Sequence, residues 1–406
     1  MHTALKIRFR ALLPMQGEPM ENGELLIEQG RVREISWDGK EFPGIECLDL
    51  SDCLILPGFV NAHCHLSLSA LKGKVAKHPR FTGWVRSLLA QNQEVSWTER
   101  VRALHAGAGD LLRSGVTTLG DYLSQPELLT EYSRLPFRQV LFLETLGFQE
   151  TAVRETLDRV RSILESQNPQ GGMIQLGLGP HAPYSVSPKL FRELKNLARR
   201  HGCPWSCHVA EFPEEVRFLK EGGGELEEFL RERGVYDAGW TPPGLSPARY
   251  LDKAGVLESL LAVHLNHIEG DLDLLASRRV KAVFCPESTR WFGRARWMPV
   301  RDLLDRGMAV GLGTDSLASN DALNFLRELR AAETMLPDVT RGEILEIATA
   351  GGAAALGLPT GRIVPGAPAD LIGFRIGTKP ESWADIPFEA DRQEVDFVMA
   401  GGQKIF

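Results

Sequence analysis

The middle of the chain, from about residue 57 to residue 358, alternates short apolar runs with longer stretches of helical periodicity. The runs are rich in Val, Leu and Ile, which is typical of strands buried on both faces. Eight of them can be identified, each followed by a helix-like stretch or a long loop: GFVNAH, GVTTLGDY, RQVLFLET, MIQLGLGPH, PWSCHVAE, LLAVHLNH, VKAVFCPES and MAVGLGTDS. Eight strand–helix units predict an α/β fold of the (β/α)8 TIM-barrel type, with a doubly wound open sheet as the alternative.

Three of the intervening helices have recognisable signals. Ser96 with Glu99 three residues later has the spacing of a capping box ahead of an apolar face. Ser187 followed by Pro188 is a typical helix start, and Leu190 onward repeats with helical spacing. The stretch 321–334 also carries Leu at helical spacing. Each of these patterns predicts a helix that follows a barrel strand.

The two ends of the chain share a sequence pattern that differs from that of the middle. Residues 1–55 and 360–406 contain short alternating runs separated by Gly, Asn and Pro, which predicts small antiparallel strands. Because both ends look alike, we predict that they build one small β-sandwich domain together. The barrel, residues 56–359, is then inserted between them.

Composition narrows the class of protein. At 406 residues the chain exceeds what one hydrophobic core usually holds, so a large domain with a smaller one is expected. A net charge of -7 argues against nucleic acid as a partner. The N-terminus shows no signal peptide and no run could span a membrane, and the six scattered cysteines suit reduced thiols. We therefore expect a cytoplasmic protein with no membrane partner; a homodimer is an option that the sequence leaves open.

Histidines and carboxylates fall at the ends of the predicted strands. His63 and His65 end the first strand, where alternation directs both side chains to one face. Further ligand types follow later strands: His208 and Glu211, His264, and Asp315. An open sheet would spread these residues along an edge, whereas a closed barrel places the eighth strand beside the first. The pattern therefore favours the barrel, with one site at the C-terminal ends of its strands.

Several imidazoles and one carboxylate suit a divalent metal ion of the zinc type with a position left for water. Such an ion lowers the pKa of its water and supplies hydroxide at neutral pH. Glu211 is a candidate general acid/base, because it lies three residues past His208 and can face the site without binding metal. His264 is placed to stabilise developing charge, and Asp315 to accept the proton of the hydroxide.

The motifs GFVNAHCHL, GPHAPYSVSP, HVAE, VHLNHIE, CPES and GLGTDSLASN resemble those of the amidohydrolase superfamily. Within it, the chain is similar to the cytosine/guanine-type deaminases and triazine chlorohydrolases over nearly its whole length. The resemblance implies a distorted (β/α)8 barrel with His63, His65, His208 and Asp315 as metal ligands. It also implies Glu211 and His264 as proton-transfer residues. The fourth strand, MIQLGLGPH, lacks the lysine that two-metal members need, so one divalent ion is implied, zinc with iron as the option.

The same resemblance suggests substrate contacts. His181 matches a position that contacts substrate in deaminases of adenine nucleosides, and Trp84 is a second candidate. Relatives acting on S-adenosylhomocysteine usually have a carboxylate before this tryptophan and an arginine near the end of the third strand. This chain has Gly83 and Glu144 there.

The segment STRWFGRARW contributes three further candidates, Arg290, Arg294 and Arg296, which could hold a substrate carboxylate. An adenosine-like substrate with an acidic arm, best represented by 6-aminodeoxyfutalosine, fits this pattern.

The expected function is therefore hydrolytic deamination of an adenine-type nucleoside or a related aminated heterocycle. Alternatives are deamination of guanine, cytosine, a pterin or S-adenosylhomocysteine, and hydrolysis of another C–N bond or of a C–Cl bond. A non-catalytic scaffold barrel is an alternative of another class. It is disfavoured because all six expected ligand and proton-transfer residues are present.

Overall fold

Two hydrogen-bonded sheets organise the chain in the computed structural model, which describes residues 4–37, 44–167, 172–268 and 270–406. The strands within these residues are β1 (Leu5–Leu12), β2 (Met20–Glu28), β3 (Arg31–Ser36), β4 (Glu46–Pro57), β5 (Phe59–Cys64), β6 (Val116–Leu123), β7 (Arg138–Thr145), β8 (Ile174–Pro180), β9 (Ser206–Val209), β10 (Leu261–His264), β11 (Lys281–Phe284), β12 (Val310–Leu312), β13 (Leu371–Arg375), β14 (Phe397–Ala400) and β15 (Gln403–Lys404).

The α-helices of the described residues are α1 (Phe81–Glu94), α2 (Trp97–Arg113), α3 (Leu129–Tyr132), α4 (Val153–Gln167), α5 (Pro188–His201), α6 (Pro213–Glu221), α7 (Gly224–Glu232), α8 (Pro247–Lys253), α9 (Leu272–Ser277), α10 (Pro286–Trp291), α11 (Val300–Asp305), α12 (Phe325–Met335), α13 (Arg341–Glu346) and α14 (Gly352–Leu356). Short 3-10 helices span Leu66–Leu71, Pro126–Leu128, Glu150–Ala152 and Trp383–Phe388, and a π-helix spans Ile347–Gly351.

The larger sheet contains the eight strands that the apolar runs predict. Its order is β8-β7-β6-β5-β12-β11-β10-β9, and every pairing is parallel. The sheet closes where β8 meets β9, through a single bridge between Leu178 and Trp205. The last strand, β12, lies beside the first, β5. The barrel is confirmed and the open sheet is excluded.

Helix starts follow the local signals in two cases and are displaced in the third. Ser96 caps α2 by accepting the Glu99 N–H, and Ser187 caps α5 by accepting the Leu190 N–H. The predicted helix at 321–334 begins only at Phe325, because the Asn324 side chain accepts a backbone N–H and so provides the N-cap.

The barrel interior is filled by side chains that alternate along the strands. One apolar cluster contains Val60, Tyr122, Phe142, Val263 and Val283, which come from five different barrel strands. Residues on the opposite strand faces pack against the surrounding helices in the large outer core. The polar residues of interest lie above the interior cluster, at the C-terminal ends of the strands.

The smaller sheet is built from both ends of the chain, in the order β15-β14-β13-β4-β1-β2-β3. It is mixed rather than purely antiparallel, because β1 and β4 run parallel. It curls on itself, since the Val32 N–H donates to the Ala367 carbonyl and Arg31 bridges Pro368. The described part therefore forms one curled sheet around a single apolar core. Sequence patterns missed β4, whose first half is largely exposed.

The chain passes between the two sheets at Gly58, because β4 ends at Pro57 and β5 begins at Phe59. The boundary predicted between residues 55 and 56 lies inside β4, and the division into two domains stays a prediction. All six cysteines are free thiols. Among the described residues, no helix is long and apolar enough to cross a bilayer.

Asp370 connects the two sheets. Its Oδ2 accepts hydrogen bonds from Arg138 Nε at the start of β7 (3.0 Å) and from Thr360 Oγ1 (2.9 Å). Its Oδ1 accepts the Gly401 N–H, next to β14, and its carbonyl accepts the Gly58 N–H. The Asp370 side chain is fully buried and that of Arg138 is 16% exposed. One carboxylate therefore holds a barrel strand and the terminal strands together.

We predict that Asp370→Asn lowers the stability of the protein by about 2–4 kcal/mol, because it leaves a largely buried guanidinium without its counter-ion. Urea denaturation followed by tryptophan fluorescence measures the effect. Asp158→Asn is the control. Asp158 pairs with Arg161 on the exposed face of α4, so the free energy of unfolding should change by no more than about 0.5 kcal/mol. Equal midpoints for the two variants would contradict the connecting role of Asp370.

Candidate active site

The histidines and carboxylates that the sequence singled out converge at the C-terminal mouth of the barrel. Nε2 of His65 lies 3.3 Å from Nε2 of His208. Asp315 Oδ1 lies 3.7 Å from Nε2 of His63 and 3.9 Å from Nε2 of His65. These four residues, named here the ligand cluster, are buried, and the ring of His264 lies 5.5 Å from that of His208.

A bulge in β5 directs the two histidines of the first strand inward. Val60 and Ala62 belong to the interior cluster, so simple alternation would also direct Cys64 inward. The pairing with β6 shifts by one residue between Asn61 and Cys64, and Cys64 packs in the outer core instead. The extra residue reverses the alternation, and His63 and His65 then both point toward Asp315. The two side chains share a face, as predicted, but a bulge places them there.

Asp315 is held from both sides. Its Oδ2 accepts hydrogen bonds from Ser288 Oγ (2.6 Å) and Ser319 Oγ (2.8 Å), which leaves Oδ1 facing the histidines. Its backbone N–H donates to the His63 carbonyl (3.2 Å). Gly313 permits this approach, because a Cβ there would lie 2.9 Å from the Cβ of His63. Neither serine was identified from the sequence.

Left-handed backbone conformations accompany the site. Ala210, His264 and Asp315 have φ values of 52°, 76° and 56°, a region that residues with a Cβ rarely occupy. Each follows or ends a short barrel strand, and the turn redirects the chain so that a side chain enters the cavity. Such strain persists where surrounding contacts hold it, and it is concentrated at functional sites.

The ligand cluster fits a metal ion. Both ring nitrogens of His63 are buried and have no hydrogen-bond partner among the described residues. Nδ1 of His208 lies 2.9 Å from the His181 carbonyl oxygen, an arrangement that leaves Nε2 to bind an ion. Burial lowers the pKa of His65 to about 3 and that of His208 well below its ordinary value, so both rings are neutral, the form that can bind a metal ion. Two overlapping sets of potential ligand atoms result: His63, His65 and Asp315; and His63, His208 and His264.

Glu211 lies beside the cluster without belonging to it. Its Oε2 is 3.7 Å from Nε2 of His264, and its Oε1 accepts a hydrogen bond from Arg294 Nη2 at 2.6 Å. Burial raises the pKa of Glu211 to about 7, and the nearby Arg294 opposes that rise. Glu215, which is fully buried, accepts the backbone N–H groups of Ala210 and Glu211 and so fixes the turn. The supporting role of Glu215 was not apparent from the sequence.

A cavity of about 510 Å³ opens directly onto these groups. His181 and Trp84, both predicted to contact substrate, line it. Nδ1 of His181 lies 2.7 Å from Ser185 Oγ, and the Trp84 indole N–H donates to the Ala318 carbonyl. The wall farther along is largely apolar and comes from the segment after β7 and from α7. The size and lining suit a small organic ligand.

None of the three arginines proposed from the sequence is among the residues that line this cavity. Arg290 pairs with Glu287 at 3.0 Å and its side chain is 55% exposed. Arg294, 11% exposed, instead holds Glu211, and its guanidinium stacks over the Phe292 ring. Arg296 lies near His267, whose pKa burial lowers to about 4, with Arg294 and Arg296 contributing. The structure therefore gives Arg294 a role other than the predicted one, because a buried carboxylate lies within its reach.

Two cavity residues with charged side chains were not assigned a role from the sequence. Glu144, at the end of β7, was noted only as a departure from relatives, and Arg233, directly after α7, was not noted at all. Arg233 is the one lysine or arginine among the described residues that line the cavity. No local pattern distinguishes it from other surface arginines, because its position depends on how α7 packs over the barrel mouth.

Comparisons with known proteins agree with this geometry. The chain is 31% identical to a 5-methylthioadenosine/S-adenosylhomocysteine deaminase of Pelotomaculum thermopropionicum, over 98% of this chain and 92% of the relative. The fold matches Helicobacter pylori aminofutalosine deaminase with a TM-score of 0.85 and 22% identity, over 99% of this chain and 100% of that one. It also matches zinc-bound atrazine chlorohydrolase of Arthrobacter aurescens with a TM-score of 0.84 and 19% identity, over 98% and 94% of the chains.

The sequence profile of the amidohydrolase family matches residues 54–405, which covers the whole barrel, the end of β4 and the C-terminal strands of the smaller sheet. The match includes every residue of the ligand cluster together with Glu211 and His264. The motifs, the barrel and the buried His/Asp cluster lead to the same conclusion: the chain belongs to the amidohydrolase family.

Proposed function

We propose that the protein hydrolytically deaminates an adenine-type nucleoside, with water replacing the amino group on the purine ring and ammonia leaving. The observation that carries the proposal is the position of Glu211 and His264. Both face the same cavity as the ligand cluster, and their side chains lie 3.7 Å apart. A carbon atom between them and the cluster would have a proton carrier on one side and a polarising group on the other.

His63, His65, His208 and Asp315 would hold one divalent ion, zinc as the first choice. A bound zinc ion lowers the pKa of a coordinated water toward neutrality. The chain contributes neutral imidazoles, an ionised Asp315 and a closed surrounding. Although burial alone would raise it, the nearby imidazoles, His63 foremost, hold the pKa of Asp315 well below its usual range.

Glu211 is proposed to move the protons. With a pKa raised by burial to about 7, it can accept a proton from the attacking water and return it to the ring nitrogen beside the reacting carbon. Arg294 fixes one carboxylate oxygen, so the other remains directed toward His264. The His264 imidazole, neutral because burial lowers its pKa, can stabilise charge on the incoming oxygen.

The rest of the cavity suits the remainder of a nucleoside. Leu226, Phe229 and Leu230 form an apolar wall, and Arg233 lies beside them. The relative at 31% identity is named for two adenosine derivatives with substituents at the 5′ position. An arm at this position would reach the apolar wall, and an acidic group on it, as in 6-aminodeoxyfutalosine, would meet Arg233. Deamination is favoured over chloride displacement, because the relative named for dechlorination shares only 19% identity.

We expect about one zinc ion per chain in the purified protein and a large loss of it in His63→Ala, because His63 belongs to both sets of potential ligands. Elemental analysis measures the content. Zinc binding should also raise the unfolding temperature of the metal-free protein. His105→Ala should keep the metal, because His105 has an exposed side chain on α2 and pairs with Glu131. A content of zero or two ions per chain in the unmodified protein would contradict the single site.

Glu211→Gln should keep the fold and the metal and lower kcat by about a hundred- to ten-thousand-fold, because the amide cannot accept the proton. Steady-state ammonia release measures kcat, and elemental analysis of the same sample checks the metal. Glu214→Gln, three residues farther along and outside the cavity lining, should retain activity. Near-normal turnover in Glu211→Gln would mean that the proton travels by another route.

Ammonia release from adenosine, 5′-methylthioadenosine, S-adenosylhomocysteine and 6-aminodeoxyfutalosine tests the substrate class. Arg233→Met should raise KM for the acidic nucleoside by about tenfold and leave 5′-methylthioadenosine unchanged, because one exposed charged contact is lost. Arg294→Met should lower kcat for both substrates, since Glu211 loses its partner. Arg290→Met is the control: Arg290 lies outside the cavity lining, so kcat and KM for both substrates should stay unchanged.

Release of ammonia from guanine, cytosine or a pterin, but from no adenine nucleoside, would exclude the proposed substrate class.

A further inference from the structure

Glu144 is a carboxylate in the active-site cavity that the proposed chemistry does not use. It is the penultimate residue of β7. Val140 and Phe142 on the same strand point into the barrel interior and belong to its apolar cluster. Because side chains alternate along a strand, Glu144 points to the same side, one layer above Phe142, and lines the cavity.

The carboxylate of Glu144 is unpaired within the part of the chain that the structure describes. Among the described residues, no hydrogen bond or ion pair reaches it, in contrast to Glu211, which Arg294 binds, and Glu215, which two backbone N–H groups bind. Burial alone raises the pKa of Glu144 to about 7. Glu144 is half-buried, and an acceptor that is partly shielded from water without donors carries a desolvation penalty, which a ligand with suitable donors would remove.

The position of β7 in the barrel indicates which part of a ligand meets Glu144. Counted from β5, β7 is the third strand of the closed barrel. The groups proposed to act on the reacting carbon follow the fifth strand (Glu211), the sixth (His264) and the eighth (Asp315). A ligand held at the reacting carbon by these groups therefore presents another part of itself to the third strand.

In an adenine nucleoside that other part is the sugar. The amino group and the ring nitrogen that accepts a proton lie on one edge of the purine, and the sugar is attached at the opposite side. The sugar carries two adjacent hydroxyl groups, each with one O–H donor, and a carboxylate offers two oxygens as acceptors. Carboxylates bind ribose hydroxyls in this way in dinucleotide-binding folds.

We propose that Glu144 accepts hydrogen bonds from the two adjacent sugar hydroxyls of the nucleoside and so determines specificity for a ribose-type sugar. The inference rests on the proposed function and extends it from the base to the sugar. It also accounts for a carboxylate that has no partner and no proton to transfer.

The consequence is selectivity for the hydroxyls. Removing either one leaves a carboxylate oxygen without its donor, so kcat/KM for 2′-deoxyadenosine or 3′-deoxyadenosine should fall about ten- to a hundred-fold relative to adenosine. Glu144→Gln keeps the shape of the side chain and removes the charge. The variant should lower kcat/KM for adenosine by a similar factor and leave kcat/KM for 2′,3′-dideoxyadenosine nearly unchanged. Most of the preference for substrates with both hydroxyls should therefore be lost.

Glu150→Gln is the matched control, because Glu150 is an exposed carboxylate just past β7 whose partner, Lys189, is 3.9 Å away. It should keep the wild-type preference. Calorimetric binding of inosine and 2′,3′-dideoxyinosine to the zinc-loaded wild-type protein gives a second measurement that needs neither turnover nor a folded variant. Inosine should bind about ten- to a hundred-fold more tightly.

The outcomes separate this inference from the proposed function. If the wild-type protein deaminates adenosine and Glu144→Gln, with normal metal content, keeps the hydroxyl preference, only the role of Glu144 is overturned. The same holds if inosine and its dideoxy analogue bind equally to the wild type. If no adenine nucleoside releases ammonia, both conclusions fall together.

Discussion

The pairing of β12 with β5 is the interaction on which the active site depends. It joins the last barrel strand to the first over a short length, with Leu312 opposite Asn61 and a bridge between Cys64 and Asp315. The Asn61 amide strengthens it by donating to Thr314 Oγ1 and accepting the Thr314 N–H, in a fully buried position. Because the His63 carbonyl accepts the N–H groups of Thr314 and Asp315, the same contacts that close the barrel bring the carboxylate to the histidines.

Burial then affects the pKa values of several groups at the barrel mouth. It keeps the pKa values of His65, His208 and His264 low and raises that of Glu211, while Asp315 stays ionised among the imidazoles. Neutral nitrogens and one anionic oxygen are the forms that bind a divalent cation. Arg294 supplies the compensating charge for Glu211 from the segment after α10, so the electrostatic balance of the site extends beyond the ligand cluster. Positioning and protonation therefore both depend on how the barrel brings these groups together in a buried position.

Much of this architecture was predictable from the sequence, because the relevant signals are local. Eight apolar runs correspond to the eight barrel strands, and ligand-type residues at strand ends must converge once the sheet closes. The features that escaped prediction depend on distant partners. The strand β4 is hidden by its polar first half, and the β5 bulge is set by its pairing with β6. Arg294 was assigned to a substrate carboxylate because sequence spacing does not reveal that Glu211 lies within 2.6 Å of it.

The same distinction between local and distant causes divides the cavity into two parts. The reacting end is built from strand termini, where backbone pairing leaves little freedom and even the left-handed conformations of Ala210, His264 and Asp315 are held by surrounding contacts. The opposite end is lined by the segment after β7 and by α7, with Arg233 just beyond that helix. Loops and peripheral helices accept substitutions that a barrel strand does not. Glu144 lies between the two parts. It is fixed by a barrel strand, β7, but it lines the cavity at a distance from the groups proposed to act on the reacting carbon. A barrel of this design can therefore keep one hydrolytic reaction while its outer wall adapts to different substituents on the substrate.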